Sequence, residues 1–195
     1  MSAALISIIG PPAAGKTTLA ERLCQALPAQ LIREDYAGNP FLVDACLGRA
    51  EARLPSQLYF LLSRVGQLGV ANWPAKGTFV TDYGFCQDRV YARASLAAGD
   101  LRLYGRVAGR VEGLVHPPGL LIALDASEAT LLDRIARRGR DFEKVMTAGF
   151  LSGIRRAYNQ IAAQSPCPVI RVDCETTDLR EEAALAQLIQ GFAQK

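Results

Sequence analysis

Five short apolar runs rich in β-branched residues recur along the chain, at Leu5–Ile9, Gln30–Glu34, Thr78–Thr81, Leu120–Leu124 and Val169–Val172. Between them lie longer stretches in which apolar residues return every three or four positions, the spacing of one helix face. These predict helices over Lys16–Leu27, Pro55–Ala71, Phe85–Ala97, Leu101–Leu114, Glu128–Arg137, Glu143–Gln164 and Asp178–Ala193. Strands alternating with helices predict an α/β fold, a parallel sheet with helices on both faces. Ligands of such sheets bind at the carboxyl ends of the strands, so the residues just after each run carry the functional interest. Gly99-Asp100 breaks one helical stretch, and Pro117-Pro118-Gly119 marks a sharp turn into the fourth strand. No repeat, linker or low-complexity tract interrupts the pattern, and one domain over residues 1–195 is expected.

The junction of the first strand and first helix carries G-x-x-x-x-G-K-T, within Gly10, Pro11, Pro12, Ala13, Ala14, Gly15, Lys16, Thr17 and Thr18. Gly10 and Gly15 let the backbone turn tightly, so that its N–H groups converge on one centre. The helix N-terminus adds partial positive charge there. Lys16 can reach the β- and γ-phosphates of a nucleoside triphosphate, and the Thr17 hydroxyl can ligate Mg²⁺. An apolar strand before the loop and a helix after it are the context this motif requires.

Composition narrows the partners. Half of the residues are hydrophobic, enough for a sizeable core. The net charge of +3 is small and not pooled in a long run, which argues against nucleic acid or a membrane surface. Five cysteines lie scattered without a C-x-x-C pair, suggesting reduced thiols. No leader and no bilayer-spanning apolar stretch is evident, so the cytoplasm is the expected location.

Three further polar sites fall at strand ends. Glu34 and Asp35 follow the second strand, where a carboxylate can act as general base toward an acceptor hydroxyl, or serve only as a loop or capping group. Asp82 ends the third strand, where a carboxylate can hold Mg²⁺, cap the next helix, or both. Arg134-Ile-Ala-Arg-Arg-Gly-Arg-Asp-Phe-Glu143 places Arg134 and Arg138 on one helix face, with Gly139 as a turn or hinge. Such arginines can close over phosphates as a lid, or form a solvated helix end. Gln57 can read a base edge or cap its helix. His116, Trp73 and Cys24 read as loop, packing and core residues.

In order along the chain, these motifs resemble the bacterial deoxynucleoside kinases, which include deoxyadenosine, deoxyguanosine and deoxycytidine kinases. The resemblance runs through the phosphate loop, Asn39-Pro-Phe-Leu42, Gln57-Leu-Tyr-Phe-Leu-Leu-Ser-Arg64, Thr81-Asp-Tyr-Gly-Phe85, Leu120-Leu-Ile-Ala-Leu-Asp-Ala126 and the 134–143 segment. It implies a three-layer P-loop kinase fold, with five parallel strands in the order 2-3-1-4-5, an arginine-rich lid, and a homodimer. The implied reaction is ATP plus a deoxynucleoside giving the 5′-monophosphate and ADP. Glu34 matches the general base. Asp82 matches the Mg²⁺-assisting carboxylate, bordering the substrate together with Tyr83. Gln57 and Asp88 match base-reading residues, and the Asp88 match implies a purine. Arg134, Arg138 and Arg140 match the lid arginines, and Glu143 matches the acid that holds the sugar 3′-hydroxyl.

The chain departs from the family around the nucleoside. Asp82-Tyr83-Gly84 stands where many relatives carry Glu-Arg-Ser or Asp-Arg-Ser. Cys46 falls where a tyrosine often touches the 3′-hydroxyl, residues 48–55 lack the usual aromatic, and Asp35 replaces a common proline. A nucleoside monophosphate kinase of the thymidylate kinase type is the nearest alternative. Its anionic acceptor needs arginines and would be repelled by Glu34. Arg33, Arg49, Arg53 and Arg64 are the arginines open to that reading. A P-loop ATPase or switch is the next, although no N-K-x-D motif is present and Tyr83 rather than glutamate follows Asp82.

Overall fold

Alternation of side chains along the strands dictates two buried faces, and the computed structural model, which describes residues 3–194, has both. The strands are β1 (Ala4–Ile9), β2 (Ala29–Ile32), β3 (Thr78–Thr81), β4 (Leu120–Asp125) and β5 (Val169–Asp173). They pair in parallel in the order β2-β3-β1-β4-β5, as expected. The helices are α1 (Lys16–Ala26), α2 (Leu42–Cys46), α3 (Ala50–Leu68), α4 (Gln87–Ser95), α5 (Ala98–Val111), α6 (Glu128–Arg138), α7 (Ala148–Ala163) and α8 (Glu182–Gln190).

On one face, Ile6 and Ile8 of β1 and Leu120, Ile122 and Leu124 of β4 pack against Leu19 and Leu23 of α1. Leu131 and Ile135 of α6 and Leu185 and Leu188 of α8 complete this cluster. On the other face, Ile9 and Leu121 meet Val90 of α4 and Ile154 and Tyr158 of α7. Leu5 and Phe79 meet Leu68 of α3. Helix α5 lies outside this layer, its Tyr104 and Ala108 buried against Leu61 of α3 and Ala92 of α4. Each fully buried Leu or Ile contributes about 1.5–3 kcal/mol of transfer free energy, so the sheet centre is the firmest platform in the molecule. Among the described residues, no helix is long and apolar enough to cross a membrane.

Element ends differ from the sequence expectation where polar local chemistry outweighs apolar period. Helix α3 begins at Ala50, ahead of the expected Pro55, which lies inside it. Its first turn is Ala-Glu-Ala-Arg, strong helix formers without an apolar stripe. Helix α7 begins at Ala148 rather than Glu143, because the Thr147 hydroxyl accepts the Phe150 N–H at 3.2 Å and caps it there; residues 141–143 form a separate tight turn. The break before α5 falls at Leu96-Ala97, and Gly99 and Asp100 lie in the first turn of α5, where a carboxylate suits the helix dipole. Helix α8 starts at Glu182, after Asp178 has been engaged by Arg180. The short α2 had no readable period. Strand β2 stops at Ile32, which places Glu34 on the following loop.

Gly10 has φ of +148°, and a Cβ there would collide with the Leu124 carbonyl on β4. Gly10→Ala is therefore expected to lose about 1–3 kcal/mol. Gly153 in α7 has nothing within 4 Å of an added Cβ, and Gly153→Ala is expected to gain about 0.5–1 kcal/mol. Urea-unfolding midpoints of the two variants should move in opposite directions.

Candidate active site

The loop between β1 and α1 is held in shape by its own backbone. Gly10, Ala13 and Gly15 take φ of +148°, +61° and +102°. The sequence pointed to the two glycines but not to Ala13. Lys16 Nζ donates to the carbonyls of Gly10 and Pro11, both at 2.9 Å, and so arches over the loop. Burial lowers its pKa to about 8; nearby Glu34 and Asp82 oppose the shift and Arg138 adds to it. Pro12, Ala13, Lys16 and Thr17 line one end of a cavity of about 420 Å³.

Glu34 lies in that cavity, and its carboxylate is fixed from behind. Its Oε1 accepts from Gln87 Nε2 at 2.9 Å and from the Arg64 guanidinium. Among the described residues Oε2 has no partner. Arg64 is only 3% exposed and is also paired with Asp88, itself 2% exposed. Burial pulls the Arg64 pKa down, but the carboxylates of Asp88 and Glu34 more than offset this and lift it above the ordinary arginine value. Burial pushes the Asp88 carboxyl up to about 6 against the pull of Arg64. Asp35 does not compete with Glu34: its carboxylate accepts the Tyr59 hydroxyl and the Gly38 N–H within its own loop.

Asp82 joins the two halves of the site. Its Oδ1 accepts the Glu34 backbone N–H at 2.8 Å, and its Oδ2 accepts the Thr17 hydroxyl at 2.6 Å. The capping alternative for Asp82 fails, because α4 starts after Cys86. Thr17 and Asp82 thus bring a hydroxyl and a carboxylate together above the phosphate loop. Among the described residues, no cluster of three or more His, Cys, Asp or Glu side chains could hold a metal ion.

Helix α6 opens with a Ser127 cap, its Oγ accepting the Thr130 N–H at 3.2 Å, and closes on Gly139 at φ +71°. The turn beyond folds Arg138 and Arg140 into the cavity. Arg138 donates to Glu143 Oε2 at 2.9 and 2.6 Å, and Arg140 lies 3.5 Å from Glu143 Oε1. Arg140 also donates to the Tyr36 hydroxyl at 3.0 Å, with its guanidinium 4.4 Å from the Tyr36 ring centroid. Arg134 is not with them: it donates to the Cys174 carbonyl at 2.9 Å, beyond β5.

Gln57, Cys46, Asp82 and Glu143 all border the cavity. Gln57 sits inside α3, so the capping alternative fails for it as well. Tyr83 does not reach the cavity: it is fully buried among Leu5, Leu68 and Phe79, and its hydroxyl donates to Gln67 Oε1 at 2.5 Å. Thr18 is exposed on α1, away from the cavity wall. Asp88 lies behind Arg64 rather than on the wall. Gln87 and the central position of Arg64 escaped the sequence reading, because only the crossing of α3, α4 and the β2 loop brings them to Glu34. His116 stacks on Trp73 with ring centroids 4.5 Å apart, a packing role for both.

The family model for deoxynucleoside kinase matches residues 6–192. A deoxyguanosine kinase of Bacillus subtilis (strain 168) is 31% identical over 185 residues, covering 91% of this chain and 89% of that protein. A deoxyadenosine kinase of Dictyostelium discoideum is 30% identical over 193 residues, covering 95% and 78%. A solved structure of deoxyadenosine kinase from M. mycoides, with dCMP and dCDP bound, superposes with a TM-score of 0.83 over 97% of this chain and 98% of that one, at 19% identity. With this extent of match, this sheet order and a fixed carboxylate beside a phosphate loop, the chain belongs to the deoxynucleoside kinase family and is an enzyme that phosphorylates nucleosides.

Proposed function

We propose that this enzyme transfers the γ-phosphoryl group of ATP to the 5′-hydroxyl of a deoxynucleoside, a purine deoxynucleoside by preference, within a single catalytic domain. The carrying observation is Glu34: one carboxylate oxygen is bound by Arg64 and Gln87, and the other has no partner among the described residues and lies in the cavity that the phosphate loop lines. The two named relatives, a deoxyguanosine and a deoxyadenosine kinase, support the purine assignment.

In this reading the triphosphate lies on residues 10–18, gripped by backbone N–H groups and Lys16. The Thr17 hydroxyl and Asp82 carboxylate are hard oxygen donors suited to Mg²⁺ alongside phosphate oxygens and water. Bound there, the ion neutralises charge on the phosphates. The nucleoside base lies over Gln57, with Arg64 and Asp88 behind it and Glu143 toward the sugar. Glu34 takes the proton of the 5′-hydroxyl as that oxygen bonds to the γ-phosphorus, and the bond to the bridging oxygen breaks to release ADP. Arg138 and Arg140 leave Glu143 in part to meet the transferring group, and lid closure keeps water out as a competing acceptor.

A monophosphate acceptor is disfavoured by charge. Arg33, Arg49 and Arg64 are each engaged by carboxylates, of Glu21, Asp44 and Glu34 with Asp88. A second anion beside Glu34 would meet repulsion. We also propose a cytoplasmic homodimer. Five free thiols support a reducing compartment. Leu62 and Leu103, 56% and 47% exposed on the packed helices α3 and α5, support an apolar dimer face.

A coupled ADP-release assay with Mg·ATP, comparing deoxynucleosides with their monophosphates, tests the reaction; turnover confined to a monophosphate would overturn it. Glu34→Gln should lower kcat by about 10²–10⁴-fold while ATP affinity measured by calorimetry changes little. Lys16, with its pKa at about 8, is charged below that pH and neutral above it. ATP affinity should therefore fall as pH rises through about 8, with proton uptake on binding above it. A Lys16→Arg variant should flatten that dependence in titrations from pH 6.5 to 9.5.

A further inference from the structure

The lid turn that follows α6 is tied mostly to itself. Arg138 and Arg140 both pair with Glu143, and Lys144 pairs with Asp141. These ion pairs shape the turn without fastening it to the body of the enzyme. Its main-chain bonds also stay within residues 135–146. Among the described residues, one side-chain hydrogen bond leaves residues 138–146 for another part of the chain: Arg140 Nη2 donates to the Tyr36 hydroxyl at 3.0 Å. The same guanidinium lies 4.4 Å from the centroid of the Tyr36 ring, so ring face and hydroxyl both hold it. Tyr36 and Arg140 both border the cavity.

Tyr36 stands on a fixed segment. Two residues earlier, the Glu34 N–H is held by Asp82. Asp35 accepts the Tyr59 hydroxyl from α3. The Tyr36 carbonyl accepts the Asn39 N–H at 3.4 Å, and the buried Asn39 side chain donates to Ser56 of α3. Base and lid contact therefore share one anchored loop. The contact itself lies at the rim, with Tyr36 42% exposed and about a third of the Arg140 side chain open to solvent. That is the boundary across which bulk water meets the cavity. A guanidinium has five N–H donors, so Arg140 can keep its bond to Tyr36 while other donors turn toward the transferring group.

We propose that Tyr36 is a positioning residue that latches Arg140, and with it the lid, to the loop carrying Glu34, so that the γ-phosphoryl group goes to the nucleoside rather than to water. Without the latch, a water oxygen bonds to the γ-phosphorus, the bond to the bridging oxygen breaks to release ADP and phosphate, and a proton passes to solvent. The kinetic consequence rests on the acceptor reading above; the latch itself does not.

The experiment has two readouts on the full chain, in wild type, Tyr36→Leu, Tyr36→Phe, Arg140→Met and the Tyr36→Leu/Arg140→Met double variant. The first is amide hydrogen exchange without ligand. Tyr36→Leu should speed exchange in residues 139–146 by about 5-fold, the scale of one exposed cation–π and hydrogen-bond contact, and leave the sheet unchanged. Tyr36→Phe, which keeps the ring, should fall between, and the double variant should exchange no faster than Arg140→Met alone. Wild-type exchange in Tyr36→Leu, or faster exchange spread over the whole chain, would overturn the latch. The second readout is the ratio of ADP to deoxynucleoside monophosphate formed from Mg·ATP and each of the four deoxynucleosides. Wild type should form the two in equal amounts. Tyr36→Leu should form excess ADP and lose kcat by about 3- to 10-fold. An unchanged ratio with only KM raised would make Tyr36 an ordinary substrate contact and overturn the proposal. Turnover on a monophosphate and on no deoxynucleoside would instead overturn the acceptor reading, and the exchange result would still decide the latch.

Discussion

The site depends on one buried cation. Arg64 is shut away between α3, α4 and the β2 loop, and it neutralises two carboxylates at once, Glu34 and Asp88. A buried ion pair of this kind adds little net stability, because desolvation offsets much of the attraction. Removing one member is a different matter, since it leaves an uncompensated buried charge. The arrangement is therefore one of constraint more than of stability. Three elements must keep their relative positions, or a charge is stranded, and that rigidity is transmitted to Glu34.

Asp82 continues the same logic on the other side. Its two oxygens tie the Glu34 main chain to the Thr17 hydroxyl, so the acceptor half and the phosphate-loop half cannot drift apart. It sits at the end of β3, between β2 and β1 in the sheet, where the fold is stiffest. Opposite this rigid wall stands a softer one. The lid residues Arg138 and Arg140 are neutralised by Glu143 and by a stacking contact with Tyr36 that is partly open to water. Glu143 itself is buried, but each arginine keeps about a third of its side chain open to solvent, so water can take over part of these contacts when the arginines turn away. A rigid base and a lid with replaceable partners are what a transfer reaction that must exclude water requires.

Much of this was legible in the chain itself. The β1–loop–α1 unit is local, so strand, glycines, Lys16 and Thr17 could be read from adjacent residues; so could the lid turn at Gly139. Element ends were less legible. Apolar period misplaced the starts of α3 and α7, because propensity in one and a Thr147 cap in the other decided them. Tyr83 was misjudged as a substrate contact because its neighbours in sequence line the site. Beyond the end of β3 the chain turns it into the core against Leu5, Leu68 and Phe79, a packing contact that no local spacing shows.

The sequence by itself determined the sheet-and-helix alternation, the phosphate cradle and the set of candidate acids and bases, because each of these is written in local spacing or in a contiguous motif. Only the tertiary structure decided which acid is free and which arginine is spent. Glu34 and Asp35 are neighbours in the chain, yet one is fixed by Arg64 and Gln87 and faces the cavity while the other is occupied by Tyr59. The four arginines offered by the sequence as phosphate ligands divide in the same way, with only Arg53 lacking a carboxylate partner among the described residues. Charge neutralisation acts through space over a few ångströms, and the residues it joins here come from helices and loops far apart in sequence.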